Sequence, residues 1–171
     1  MGYETYLAML EEIMDELRGK SHATEIDPEI RLPVTAQLPE SYVSAVSQRL
    51  VLYKRLASCR DDGEIDRIRD ELLDRYGSLP DEAENLFEVI RLKTRARRLG
   101  IAAIDLTHGD IVLTAADQSK VDPQRLLDLL HQAGAGMRVA PDRKIYARVP
   151  EADPAQLFAA ARNLPAHPGA P

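Results

Sequence analysis

The residue pair whose spacing offers the clearest chemistry in this 171-residue chain is Glu71 and Asp74. Residues three apart lie on one face of a helix. A wheel drawn at about 100° per residue puts both carboxylates, together with Arg67, nearly opposite the apolar side chains of the same segment. Two carboxylates on an outward face can accept the forked hydrogen bonds of a guanidinium. The pair therefore indicates a surface that could bind a basic group of a partner protein.

A second interpretation of the same face is a solvated helix surface. Charged side chains normally cover the outside of an amphipathic helix. Arg67 and Glu71, four residues apart, would then form an exposed pair that contributes roughly a few tenths of a kcal/mol. Glu64 and Asp70 add carboxylates nearby, but spacing alone leaves both interpretations open.

A third group of residues with possible chemistry is basic. The segment RLKTRARR places Arg91, Arg95 and Arg98 on the side of a predicted helix away from its apolar stripe, which could form a ridge that contacts nucleic acid. Cations in the last turns of a helix also complement its negative end, and no aromatic residue is interleaved for base stacking. The net charge of −6 argues against attraction of the whole chain to nucleic acid. An accessory nucleic-acid-binding module using residues 91–98 is therefore the alternative hypothesis.

Patterns typical of enzymes and metal proteins are missing from the sequence. It contains no GxxxxGKS/T, GxGxxG, GxSxG or HExxH segment, so it supports no phosphate-binding loop, nucleophile elbow or zinc helix. The single cysteine, Cys59, has no second thiol for a disulfide or a metal site. We therefore expect no catalytic residue, no metal and no cofactor in this chain.

The apolar runs are too short and too often interrupted by charge to cross a membrane. The N-terminus also lacks a basic segment followed by an apolar one, which a secretory signal would need. A lone cysteine fits a reducing compartment. We expect a protein of the cytoplasm without a membrane segment.

Apolar periodicity predicts four helices and one strand in the first hundred residues. They are a helix over residues 3–18, an edge strand over 30–38 interrupted by prolines, and helices over 41–58, 65–76 and 81–99. Ser41 is the predicted N-cap of the second helix. The apolar face of that helix would comprise Val43, Val46, Leu50, Tyr53 and Ala57. Gly77 and Gly100 would end the last two helices.

After Gly100 the pattern changes to alternating short strands and helices. The predicted elements are a hairpin of 101–106 and 111–115, a helix from Pro123, a hairpin of 137–140 and 144–149, and a helix over 154–163. The predicted fold class is thus α+β. It comprises an N-terminal helix and edge strand, a three-helix lobe, and a small lobe of two β-hairpins and two helices.

Four segments in order resemble the C-terminal region of the bacterial transcription-repair coupling factor family. They are GYETYLAMLEEIMDEL, EIRLPVTAQLPESYVSAVSQRLVLYKRLA, IDRIRDELLDRYGSLPDEAENLF and IRLKTRARRLGI. The resemblance covers residues 2 to 104 closely and the remainder only in pattern. It implies a parent protein that translocates on double-stranded DNA with ATP and Mg²⁺, dislodges stalled RNA polymerase and recruits the repair protein UvrA.

For this chain the resemblance implies a non-enzymatic, autoinhibitory domain. It would dock on the N-terminal UvrB-like module of the same polypeptide, mask UvrA binding and repress the translocase. The acidic contact residues of the family's ELIDRFG-type motif fall on Glu71 and Asp74 of ELLDRYG, and Arg67 would orient Glu71. Residues 1–24 would be a helix and linker left from the translocase region, 25–164 the regulatory domain and 165–171 a disordered tail.

Overall fold

A computed structural model of the chain describes residues 26–116, 137–140, 142, 144–148 and 158. The helix predicted over 3–18, the helix from Pro123 and the tail lie outside these residues. So does the helix predicted over 154–163, except for Phe158, which is helical and buried.

Three helices and five strands make up the described part of the chain, and the predicted α+β class is confirmed. They are β1 (Glu29–Arg31), α1 (Val46–Ser58), α2 (Asp62–Tyr76), α3 (Asp81–Leu99), β2 (Ile101–Thr107), β3 (Asp110–Ala115), β4 (Met137–Val139) and β5 (Lys144–Arg148). The strands form one sheet in the order β1-β2-β3-β5-β4. The described residues divide into two compact units, one containing residues 34–91 and the other containing 26–33 and the described residues from Leu92 onward.

Helix α1 begins later than predicted. The amides of Tyr42 and Val43 both donate to the carbonyl of Pro39 at 3.0 Å, which closes a turn where the helix was expected to start. The prediction that Ser41 caps the helix is therefore wrong, because the N-cap is Ala45 and makes no side-chain cap bond.

The predicted buried face of α1 is also partly wrong. The side chains that the helix buries are Arg49, Leu52, Tyr53 and Leu56, whereas Val46 is 53% exposed. Arg49 turns inward because its Nη1 donates to the carbonyls of Val43 at 2.7 Å and Ser44 at 3.0 Å. The two carbonyls accept hydrogen bonds from the Arg49 guanidinium, so this charged group can be buried although its residue type predicts exposure to solvent.

Helix α2 has well-formed ends. The Asp61 side chain accepts a hydrogen bond from the Glu64 amide at 2.9 Å, and the Glu64 carboxylate accepts one from the Arg60 amide at 2.8 Å. This arrangement resembles a capping box, except that the Glu64 carboxylate accepts from the amide of Arg60 and not from that of the N-cap residue Asp61. At the other end, Gly77 adopts φ 83° and its amide donates to the Leu73 carbonyl, so glycine ends the helix as predicted.

Buried apolar side chains hold the first unit together, and two ion pairs join α2 to α3. On α2 the buried residues are Ile65, Ile68 and Leu72, and on the part of α3 in this unit they are Ala83, Leu86, Phe87, Val89 and Ile90. Arg69 Nη2 lies 2.7 Å from Glu84 Oε1, and Arg91 Nη2 lies 2.5 Å from Asp66 Oδ1. Helix α2 is therefore held against α3 on the side opposite the face that carries Glu71.

Only the first residues of the predicted strand 30–38 belong to the sheet. Strand β1 pairs in parallel with β2 at the sheet edge, which confirms the edge position, but it ends at Arg31. Pro33 and Pro39 have no amide to continue a ladder. Farther on, Ala36 and Leu38 are buried in the first unit, and the Leu38 amide donates to the Tyr53 hydroxyl at 2.7 Å. The alternation predicted burial correctly, but not the length of the strand.

Both predicted hairpins are present. Strands β2 and β3 pair antiparallel up to Thr107 and Asp110. The two residues between them, His108 at φ 52° and Gly109 at φ 81°, both have the positive φ of a tight hairpin turn. Strands β4 and β5 also pair antiparallel. One face of the sheet supplies a core to the second unit with the end of α3, comprising Ala96, Leu99, Ile101, Ile104, Ile111, Leu113, Ile145 and Ala147.

Candidate protein-docking surface

The three residues predicted to bind a partner lie on α2. Arg67 and Asp74 are exposed and Glu71 is half-buried. Together with Asp70 and Leu73 they line an open depression of about 660 Å³. The helical wheel thus predicted correctly which side of the helix they occupy, and Glu71 lies nearest to the neighbouring helix α1.

The carboxylate of Glu71 already accepts a forked hydrogen bond within its own chain. Arg55, on α1, places Nη2 at 2.7 Å from Oε2 and Nη1 at 3.1 Å from Oε1. Arg75 adds a bond to Oε1 at 3.1 Å. The hydrogen bond from Arg55, with a further contribution from Arg75, lowers the pKa of Glu71 below its ordinary value although burial opposes the shift. Glu71 therefore links α2 to α1 through this forked hydrogen bond.

The prediction that Arg67 orients Glu71 is wrong, because Arg55 and Arg75 do so. A glutamate that precedes an arginine by four residues pairs better than one that follows it. Glu71 and Arg75 have the favourable order, whereas Arg67 and Glu71 have the reverse order.

Arg55 was missed because it lies on another helix. The short connection predicted that α1 and α2 pack as neighbours, but it did not predict the register that brings Arg55 to Glu71.

Asp74 differs from Glu71 in having no such contact. Within the described part of the chain, the side chains of Asp74 and Arg67 make neither a hydrogen bond nor an ion pair. A carboxylate offers about four acceptor positions, so both oxygens of Asp74 can accept a fork from outside. Of the two predicted acidic contacts, Asp74 is the one that can accept a complete guanidinium.

An aromatic group stabilises the end of α2 beside this surface. The Tyr76 hydroxyl donates to Gln48 Oε1 on α1 at 2.6 Å, and the Tyr42 hydroxyl lies 2.8 Å from the Gly77 carbonyl. The two tyrosine rings are 5.7 Å apart and tilted. The Arg75 guanidinium carbon is 5.2 Å from the centre of the Tyr76 ring. These contacts fix the last turn of α2, where Asp74 lies.

The three arginines of the alternative hypothesis do not form an open basic ridge. The Arg91 side chain is only 17% exposed, and it pairs with Asp66 and with Glu88. Arg95 and Arg98 are half-buried and have contacts of their own. The carboxylates beside Arg91 reduce the positive potential that a phosphate backbone requires.

No helix among the residues that the structure describes has both the length and the apolar character needed to span a membrane. Histidine, cysteine and carboxylate side chains come together nowhere in these residues in a group of three or more suited to a metal ion.

Comparison with known proteins places these features in a family. Residues 32–126 match the family model described as the TRCF domain, which is more than half of the chain. The chain is 34% identical over 151 residues to the transcription-repair-coupling factor of Myxococcus xanthus, covering 88% of this chain and 13% of that protein. It is 33% identical over 137 residues to the factor of Escherichia coli strain K12, covering 77% and 12%. The chain thus spans about an eighth of the length of these relatives.

A solved structure shares the fold. It is described as the crystal structure of the C-terminal domain of transcription-repair coupling factor, and it superimposes with a TM-score of 0.75 at 18% identity, covering 84% of this chain and 92% of that one. The family match spans α1, α2 and α3 with the candidate surface, and the first hairpin of the second unit. The chain therefore belongs to the TRCF domain family of bacterial transcription-repair coupling factors.

Proposed function

We propose that this chain is a non-catalytic, autoinhibitory protein-interaction domain of a transcription-repair coupling factor. It docks on the N-terminal UvrB-like module of the same polypeptide, masks the surface that binds UvrA and represses the DNA translocase. ATP and Mg²⁺ belong to the motor of the parent protein, and this chain uses no cofactor. RNA polymerase and double-stranded DNA are partners through the parent only, in the cytoplasm.

The observation that carries the proposal is the exposed carboxylate of Asp74 on a rigid helix pair. Asp74 makes no ion pair in the described part of the chain, and it lies in the ELLDRYG segment within the family match. The Arg55 fork on Glu71 and the Tyr76–Gln48 bond fix the helix beneath it. A partner guanidinium would meet an acceptor that is already in position, so little ordering entropy is lost on docking.

The energetics suit a reversible contact. An exposed ion pair contributes about 0.2–1 kcal/mol, which is too little to hold two separate proteins together. A flexible tether supplies a local concentration on the order of millimolar, so a weak contact suffices within one polypeptide. Polymerase and DNA can then open the contact if they bind the open arrangement more tightly than the closed one.

Reversal of both acidic charges in the full-length coupling factor tests the proposal. The double variant Glu71→Lys/Asp74→Lys should bind UvrA more tightly than the unaltered protein and show a higher basal ATPase rate. Glu40→Lys, which reverses one exposed carboxylate in the turn before α1, is a control for charge reversal elsewhere on the surface and should change neither. If the double reversal left both UvrA affinity and ATPase unchanged, the docking function would be wrong.

Since Glu71 also joins α1 to α2, the effect on folding has to be separated from the effect on docking. Circular dichroism of the 171-residue chain should show that the double variant keeps its helices at the assay temperature. Direct association of this chain with the separated UvrB-like module, measured by calorimetry, should be weakened by the double reversal and kept by Glu40→Lys.

A further inference from the structure

The two exposed large apolar side chains in the described part of the chain are Val46 and Val51, which are 53% and 55% exposed. Both lie on α1. They are five residues apart, which separates them by about 140° around the helix. Only Val51 lies on the same side of α1 as Arg55, because it precedes Arg55 by four residues. Arg55 in turn contacts Glu71 of the candidate surface.

Two cross-helix contacts define the level of Val51 relative to α2. Arg55 contacts Glu71, and Gln48 contacts Tyr76, so the two helices run antiparallel. Val51 lies between Arg55 and Gln48 along α1. On α2 the corresponding level falls between Glu71 and Tyr76, which is where Asp74 is.

We propose that the docking surface spans both helices, with Val51 as its apolar contact and Asp74 as its acceptor for a partner cation. The Arg55–Glu71 fork lies between them as a positioning element. The partner is the UvrB-like module, and its matching surface is a basic side chain beside an apolar one. This inference rests on the proposed docking function and adds α1 to the surface, whereas the contact residues implied by the family resemblance lie on α2.

Charge alone makes a poor docking surface here. Glu71 is largely satisfied by Arg55 and Arg75, and rim ion pairs contribute mainly to the rate and register of association. The energy of protein interfaces concentrates in apolar or aromatic anchors that lose water, surrounded by polar groups. Val51 has this setting, since Arg55 and Gln48 flank it on α1. Val46, on another side of the helix, does not share it.

Paired substitutions on α1 test the proposal with a control on the same helix. Val51→Asp should weaken association of this chain with the UvrB-like module at least about fivefold. Val46→Asp, equally exposed, should leave the affinity within about twofold. Circular dichroism checks that both variants stay folded. Equal effects of the two substitutions, or no effect of either, would overturn the extension of the surface to α1.

A second pair tests the separate roles of the two carboxylates. Asp74→Asn should weaken association while the urea midpoint stays unchanged, and Glu71→Gln should lower the urea midpoint with a smaller loss of affinity. A Glu71→Gln variant that weakened association as much as Asp74→Asn at an unchanged midpoint would overturn the positioning role.

If Glu71→Lys/Asp74→Lys did not weaken association, the docking function itself would fail. If that reversal weakened association but Val51→Asp matched Val46→Asp, only the present extension would fail.

Discussion

The guanidinium of Arg55 holds both carboxylate oxygens of Glu71, with Nη2 at 2.7 Å from Oε2 and Nη1 at 3.1 Å from Oε1. This fork has the geometry expected from a partner protein, but α1 of the same chain supplies it. Glu71 is therefore engaged within its own chain, whereas Asp74 makes no ion pair with any of the residues that the structure describes.

The first prediction concerns the pH dependence of stability. The Arg55 hydrogen bond lowers the pKa of Glu71 below its ordinary value of 4.5. The fork therefore stabilises the fold above that pH, and the stabilisation is lost as pH falls through the lower folded-state pKa. Glu71→Gln should cost about 0.5–1 kcal/mol at neutral pH, and the difference from the unaltered chain should shrink toward about pH 3. Urea unfolding at both pH values measures it.

Asp74→Asn is the control for this experiment, because it removes an exposed carboxylate three residues away that makes no ion pair in the described region. Its stability should follow that of the unaltered chain at both pH values. A Glu71→Gln cost of equal size at neutral and acid pH would contradict the ionic origin of the contact.

The second prediction compares the observed cap of α2 with the predicted cap of α1. Asp61→Ala removes the acceptor of the Glu64 amide and should lower the free energy of unfolding by about 1 kcal/mol. Ser41→Ala should change it by less than about 0.5 kcal/mol, because Ser41 lies in a turn outside α1. Urea denaturation of both variants measures the two changes in the free energy of unfolding. Equal decreases would show that the capping assignment is wrong.

Features governed by neighbouring residues could be predicted from the sequence. Gly77 and Gly100 end helices as expected, because a residue at positive φ favours glycine. The turn at His108 and Gly109 forms because two residues at positive φ suit a tight hairpin. The outward side of α2 was also predictable, since it depends only on helical period.

Features that depend on contacts outside the three- and four-residue spacing of a helix could not be predicted in this way. Arg49 is buried because the carbonyls of the preceding turn accept its hydrogen bonds, and this rotates the buried face of α1. The fork on Glu71 joins residues 16 positions apart on different helices, whereas helix periodicity considers only pairs three or four apart. The outward position of Arg67, Glu71 and Asp74 on α2 was thus predictable, but the contact of Glu71 with Arg55 on α1 required the structure.

The third prediction concerns Cys59, which is 4% exposed. Burial, and to a lesser extent the carboxylate of Glu64, raises the pKa of the thiol to about 11, so little reactive thiolate is present near neutral pH. At pH 8 the folded chain should react with Ellman's reagent on the order of a hundredfold more slowly than the chain in concentrated urea. The urea sample is the control, and similar rates in both would mean that Cys59 is accessible in the native state.

The last prediction separates docking from nucleic-acid binding. Arg91 is 17% exposed and pairs with Asp66, so Arg91→Ala should lower the urea midpoint because it leaves a carboxylate without its counterion. A ridge of three arginines on phosphate would give an affinity that falls with salt at a slope of roughly −3 on logarithmic axes. We expect no saturable binding of this chain to a short fluorescent duplex even at low salt. Saturable binding with that slope, abolished by Arg95→Ala/Arg98→Ala in a chain that stays folded, would favour the nucleic-acid module over the docking domain.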